Sequence, residues 1–199
     1  MIFVYQFLFL AITYFVCAIP FGLVITKACL GKDVREAGSG NIGATNVTRI
    51  AGKKLGLITL LLDGFKGAIM VIVARFSFYF INNLHLFLAI VSIVAVIAHI
   101  YPVYLKFKGG KGVATALAVL LALDPIVGFL SIVFWLMIFL IYRISSVASL
   151  IAVLSSIAFS VHYDAPTSQV VLCCALFVVI AARHRENVIR LLLGEEKKM

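Results

Sequence analysis

The chain has 199 residues, 64% of them hydrophobic and 13% charged, and its 17 Lys and Arg against 8 Asp and Glu give a formal net charge of +9. A soluble domain carries about 25% charged residues, so a mean hydropathy of +1.17 assigns most of this chain to lipid. At about 20 apolar residues per span, little is left for a soluble domain: the reading is one membrane domain over 1–199 with short basic loops, which excludes a nucleic-acid binder and points to membrane orientation and anion binding.

The first apolar run, 4–26, lacks the basic start and small-residue cleavage site of a signal peptide and reads as a retained span. Cys17, Cys29, Cys173 and Cys174 show no metal-ligand spacing and read as packing residues. Next comes Gly38-Ser39-Gly40-Asn41-Ile42-Gly43-Ala44-Thr45-Asn46-Val47-Thr48-Arg49. Its glycines let a backbone curl around a ligand, while Ser39, Gly40, Asn41, Thr45 and Asn46 offer N–H, hydroxyl and amide donors. Arg49 adds a planar fork suited to two phosphate oxygens. Gly38 to Gly43 also matches the dinucleotide pattern G-x-G-x-x-G, but the charged Lys32 to Glu36 stands where that motif needs an apolar strand. A plain flexible linker is the bland alternative.

A second helix is predicted over 55–81. It carries Lys66, which at mid-membrane costs about 2.5–3.5 kcal/mol and therefore needs an interior partner. Asp63 lies on the same helical face, and the pair is open to two roles, stabilising the bundle or joining the site. Arg75, nearer the helix end, is expected to snorkel. The third helix, 84–105, holds His99 just before Pro102; this imidazole either faces the site or satisfies a carbonyl freed by the proline.

The loop Lys106-Phe107-Lys108-Gly109-Gly110-Lys111-Gly112 runs into a short fourth helix, 112–123. Backbone N–H groups of Gly109, Gly110 and Gly112, the positive helix end and Lys111 together read as an anion site. Gly112 after Lys111 excludes a Walker A loop, which needs Ser or Thr there. About twelve residues rise only about 18 Å against a hydrocarbon core of about 30 Å, so this helix is either an element of its own or half of one kinked at Pro125.

Further helices are predicted over 125–142, 145–163 and 168–182, followed by Arg183-His184-Arg185-Glu186-Asn187-Val188-Ile189-Arg190. At helical spacing His184 and Asn187 share a face. About seven helices, with the N-terminus outside and the C-terminus cytoplasmic, put on one side Lys27, Lys32, Arg35, Arg49, Lys53, Lys54, Lys106, Lys108, Lys111, Arg143, Arg183, Arg185, Arg190, Lys197 and Lys198. These are all the basic residues except Lys66 and Arg75, as the positive-inside rule requires. Merging the fourth and fifth helices would place the basic tail outside.

Ser39 to Asn46 with Arg49, then His99-x-x-Pro102 with Gly109-Gly-Lys-Gly-Val-Ala-Thr115, then Arg183-His184-x-x-Asn187-x-x-Arg190-Leu191-x-x-Gly194-x-Glu196, closely resemble the bacterial acyl-phosphate:glycerol-3-phosphate acyltransferases, the PlsY family. The resemblance runs from about Pro20 to Glu196. It implies an all-α fold in the bacterial inner membrane, with active-site loops on the cytoplasmic face. It also implies transfer of a fatty acyl group from acyl phosphate to the sn-1 hydroxyl of sn-glycerol 3-phosphate, without cofactor or metal, and contact with the enzyme supplying acyl phosphate. By resemblance Ser39, Arg49, His184 and Asn187 are the catalytic set, Gly109 to Gly112 hold glycerol phosphate, and Glu196 is structural. Ala118, Glu186 and Val188 depart from the commonest residues at their positions. An organic-phosphate transporter is the competing class; it predicts paired broken helices near the bilayer midplane, whereas the glycine-rich segments here fall on one side.

Overall fold

The computed structural model describes residues 1–198, and among them it holds helices, two 3-10 turns and no strand. The first apolar run is two helices, α1 (Ile2–Cys17) and α2 (Phe21–Leu30). Pro20, with no N–H and with ψ near 78°, ends one and starts the other. The predicted second helix begins well before residue 55: α3 spans Ala44–Ser77 and is broken at Gly52, whose φ of 84° leaves the helical region. Its first two turns, carrying Thr45, Asn46 and Arg49, are thus an arm set off from the apolar shaft.

α4 (Leu84–Ile100) stops just ahead of Pro102, which disfavours helical backbone in the residue before it. α5 (Val113–Leu123) and α6 (Pro125–Tyr142) are separate elements. Asp124 divides them with extended backbone and accepts from the N–H groups of Ile126 and Val127 at 3.1 and 3.2 Å, an N-cap with Pro125 in the first turn. α7 (Ser145–His162), α8 (Thr167–Arg183) and the short α9 (Arg185–Leu192) follow, with a 61° bend between α8 and α9. Five stretches are long and apolar enough to cross a membrane: Ile2–Leu30, Ala44–Ser77, Leu84–Leu105, Pro125–Tyr142 and Ser145–His162. The α8–α9 pair meets the same test only when its two helices are counted together across the 61° bend at His184, and α5 with its 11 residues is too short by itself.

α4 is the central rod, and its Phe87, Leu88, Val91 and Val96 pack with Val71 of α3 and Leu176 of α8. α6 lies at the edge, only 17% buried, and presents its apolar surface outward. α5 lies close against α3 because the shaft of α3 has glycines where the helices meet. A Cβ on Gly67 would stand 2.7 Å from Thr115 Cγ2 and 2.9 Å from Val119 Cγ1, and small residues are what permit such close approach in lipid.

Three polar ties fix this arrangement. Thr115 Oγ1 donates to the Asp63 carbonyl at 2.8 Å. Lys66 Nζ donates to Asp63 Oδ1 and to the Ile19 carbonyl, both at 2.8 Å, with both side chains buried. Arg75 does not snorkel. Its Nη2 donates to the carbonyls of Ala122 and Leu123 at 3.2 and 2.6 Å, because the end of α5 leaves carbonyls that would otherwise lie unpaired in an apolar setting.

Candidate active site

The loop before α3 is shaped from within by Asn46. This buried side chain sends its amide N–H groups to the carbonyls of Val34, Ala37 and Asn41 at 3.0, 3.1 and 2.8 Å, and its Oδ1 accepts from the N–H of Ser39 at 2.8 Å. Both amide hydrogens are therefore committed to the loop, and Asn46 organises the segment instead of offering free donors to a ligand. Asn41 Oδ1 accepts from Gly43 N–H at 2.8 Å, supporting the start of α3. Ser39, Asn41, Thr45, Asn46 and Arg49 line a shared cavity, and Gly40 does not.

The second segment delivers Lys111 but not the cradle expected of its glycines. The N–H of Gly109 is bonded to the Ile100 carbonyl at 3.0 Å and that of Gly110 to the His99 carbonyl at 3.2 Å, since the loop folds back on the carbonyls that end α4. What remains cationic is the Lys111 ammonium and, after Gly112, the start of α5. Burial, only partly offset by Glu196, pulls Lys111 down to about 8.

The third segment closes over Lys111. Lys111 Nζ donates to Asn187 Oδ1, and Asn187 Nδ2 donates to Glu196 Oε1 at 2.5 Å. Glu196 also accepts from Ser146 Oγ and from Arg190 Nε, each at 2.8 Å. The tail can return here because Gly194 adopts φ of 72° after α9 and Glu195 N–H bonds back to the Arg190 carbonyl at 2.7 Å. Burial raises the Glu196 carboxyl, but the hydrogen bonds from Asn187, Arg190 and Ser146 outweigh it and hold the group below its ordinary value. His184, at the α8–α9 bend, has Nδ1 2.8 Å from the Ile180 carbonyl. A carbonyl only accepts, so the proton sits on Nδ1 and Nε2 keeps its lone pair. Burial and the Lys111 charge push this imidazole down to about 4, so it is neutral at physiological pH.

These groups face one cavity of roughly 1030 Å³. Its polar end is bounded by Ser39, Arg49, Lys111, His184, Asn187 and Glu196; its other end is an apolar groove between α3 (Leu61, Phe65, Ile72), α5 (Leu117, Leu121) and α6 (Ile132, Leu136). Asp63 and His99 also line it, while Lys66 does not. Serines of α7 complete the wall: Ser145 Oγ lies 3.1 Å from Thr45 Oγ1, and Ser149 Oγ accepts from Trp135 Nε1 at 3.1 Å. Sequence reasoning passed these over. The visible signal is the run Ser145-Ser146-x-x-Ser149 at a predicted helix start on the basic side.

Such a cavity admits a phosphorylated polar molecule at one end and an alkyl chain at the other, and comparison with known proteins agrees with it. The family described as glycerol-3-phosphate acyltransferase matches residues 7–194. The chain is 45% identical over 186 residues to the glycerol-3-phosphate acyltransferase of Caulobacter vibrioides (strain NA1000 / CB15N), covering 94% of this chain and 84% of that protein. It is 44% identical over 192 residues to that of Aquifex aeolicus (strain VF5), covering 96% and 98%. Crystal structures of PlsY, an integral membrane glycerol 3-phosphate acyltransferase, superpose with TM-scores of 0.91 in the glycerol 3-phosphate form and 0.89 in the lysophosphatidic acid form. They are 41% and 40% identical to this chain, and each comparison covers 98% of this chain and 95% of the other. By sequence, helical architecture and the chemistry of its cavity, the chain belongs to the PlsY family of integral membrane glycerol-3-phosphate acyltransferases.

Proposed function

We propose that this acyltransferase uses acyl phosphate as donor and the sn-1 hydroxyl of sn-glycerol 3-phosphate as acceptor, giving lysophosphatidic acid and inorganic phosphate as the first step of phospholipid synthesis in a bacterial inner membrane. The observation that carries this reading is the continuity of a cationic, hydrogen-bonding chamber with an apolar groove inside one cavity. A fatty chain in the groove puts the head of its donor beside Ser39 and Arg49, and Lys111 holds glycerol phosphate alongside. The whole chain acts as a single membrane domain of about seven helical segments. Its N-terminus is outside and the loops bearing Ser39, Lys111 and Asn187 are in the cytoplasm, where both substrates and the enzyme supplying acyl phosphate are met.

In the reaction the glycerol hydroxyl oxygen bonds to the acyl carbon, the bond from that carbon to the phosphate oxygen breaks, and the phosphate leaves. Its own oxygens accept the hydroxyl proton, so no strong protein base is required. His184, neutral with a free Nε2 lone pair, and Asn187 position the groups by hydrogen bonds, while Arg49 and Lys111 stabilise charge gathering on phosphate. The test is purified protein supplied with palmitoyl phosphate and glycerol 3-phosphate, which should yield lysophosphatidate and phosphate without other components. Palmitoyl-CoA, whose thioester lacks the proton-accepting phosphate, should be the poorer donor, and comparable kcat/KM for the two donors would overturn the donor assignment.

A further inference from the structure

Asp63 and His99 form the floor of the cavity yet have no part in the chemistry above, and ionisable residues at membrane depth carry function by default. His99, in the last turn of α4, is buried with its Nδ1 3.5 Å from Asp63 Oδ1 and without a hydrogen-bond partner among the described residues. That separation lies just outside hydrogen-bond range, so the carboxylate acts on the ring as a close polar neighbour. The Nε2 edge of the ring meets the glycine loop. A Cβ on Gly110 would lie 2.1 Å from His99 Nε2, and one on Gly109 would lie 2.3 Å from the His99 carbonyl. Gly110 N–H donates to that same carbonyl at 3.2 Å.

The Asp63 carboxylate is held from behind by Lys66, itself bonded to the Ile19 carbonyl. The Asp63 backbone carbonyl meanwhile takes the hydroxyl of Thr115, in the first turn after the loop. One residue of α3 thus grips both sides of the segment bearing Lys111, through the His99 ring before it and through Thr115 after it. We propose that His99, oriented by Asp63, is a positioning residue that sets the height of the Gly109–Gly112 segment and so places Lys111 on the phosphate of glycerol 3-phosphate. The inference rests on the assignment of Lys111 to that phosphate.

The measurements are calorimetric titration of glycerol 3-phosphate into purified enzyme without donor, and steady-state kinetics. Lys111→Ala should weaken binding at least about tenfold; normal binding in this variant overturns the phosphate assignment itself and not merely the role of His99. With Lys111→Ala weakened, His99→Ala should also lose about tenfold in affinity, with KM for glycerol 3-phosphate raised, kcat within about threefold and donor KM unchanged. His99→Phe keeps a ring beneath Gly110 while losing the polar contact with Asp63, and should show the same split if His99→Ala does not fold. Gly110→Ala, damaging in the wild type because its methyl meets the imidazole, should add little in the His99→Ala background, a non-additivity that shows the ring sets the height of the loop at Gly110. Unchanged glycerol 3-phosphate affinity in folded His99→Ala or His99→Phe, additive effects in the cycle, or a collapse of kcat at constant KM each overturn the positioning role.

Discussion

Lys111 is the residue whose charge the site both needs and opposes. Burial brings it to about 8, so its ammonium is complete below that value and is lost as the pH rises through it. Because kcat/KM reports the free enzyme, kcat/KM for glycerol 3-phosphate should fall with rising pH from about 8. Lys111→Arg should abolish this limb, since a guanidinium stays protonated throughout; a limb that persists in the Arg variant assigns it elsewhere. His184, held down to about 4, should contribute no inflection between pH 5 and 8, and pH profiles of wild type and His184→Gln should be parallel over that interval. Residue types were legible in the sequence: Arg49, Lys111, His184 and Asn187 all reach the cavity. Their uses were less so, because Asn46, whose amide is spent on its own loop, has the same polar chemistry as a side chain free to meet a ligand.

At the scale of elements, the short α5 is held by contacts that composition does not reveal. Gly67 offers no room for a larger side chain against Thr115 and Val119, so Gly67→Val should force α5 away from α3 at a cost of about 1–3 kcal/mol. The loss should appear as a lower melting temperature of the purified protein; an unchanged melting temperature would mean the helices can separate freely. Arg75→Leu should cost about 1.5–3 kcal/mol by leaving the Ala122 and Leu123 carbonyls without their charged donor, read in the same melting experiment. If instead Arg75→Leu melts like wild type, water or lipid headgroups replace the guanidinium. The break between α5 and α6 was foreshadowed by Asp124-Pro125, an N-cap followed by proline. The early start of α3 was hidden because its first two turns, 44–51, are short, rich in Thr and Asn and cut off from the shaft by Gly52, and it is the packing of Val47, Ile50 and Ala51 with Leu23 and Val34 that makes them helical.

For the whole molecule, the proposed orientation is tested by single cysteines in a background lacking Cys17, Cys29, Cys173 and Cys174. Cysteines at Ser39, Lys108 and Glu195 should resist a membrane-impermeant thiol reagent outside and react once the cytoplasmic face is opened, and one at Asn83 should do the reverse. Labelling of position 195 from outside would support the arrangement in which α5 and α6 form one span. Composition alone determined that the solvent is lipid, because with 64% hydrophobic and 13% charged residues too little polar surface is left to shield the apolar side chains from water, and three polar segments on the basic side were enough to carry the family resemblance. Only the tertiary structure decided that Glu196 returns to Ser146, Asn187 and Arg190, that Arg75 holds the end of α5, and that Asp63 and His99 meet beneath the glycine loop. Sequence records which groups a chain carries. Contacts between residues far apart along it depend on how closely helices approach, and that is set by shape at positions such as Gly67 and Gly110, where the absence of a side chain is the determining feature.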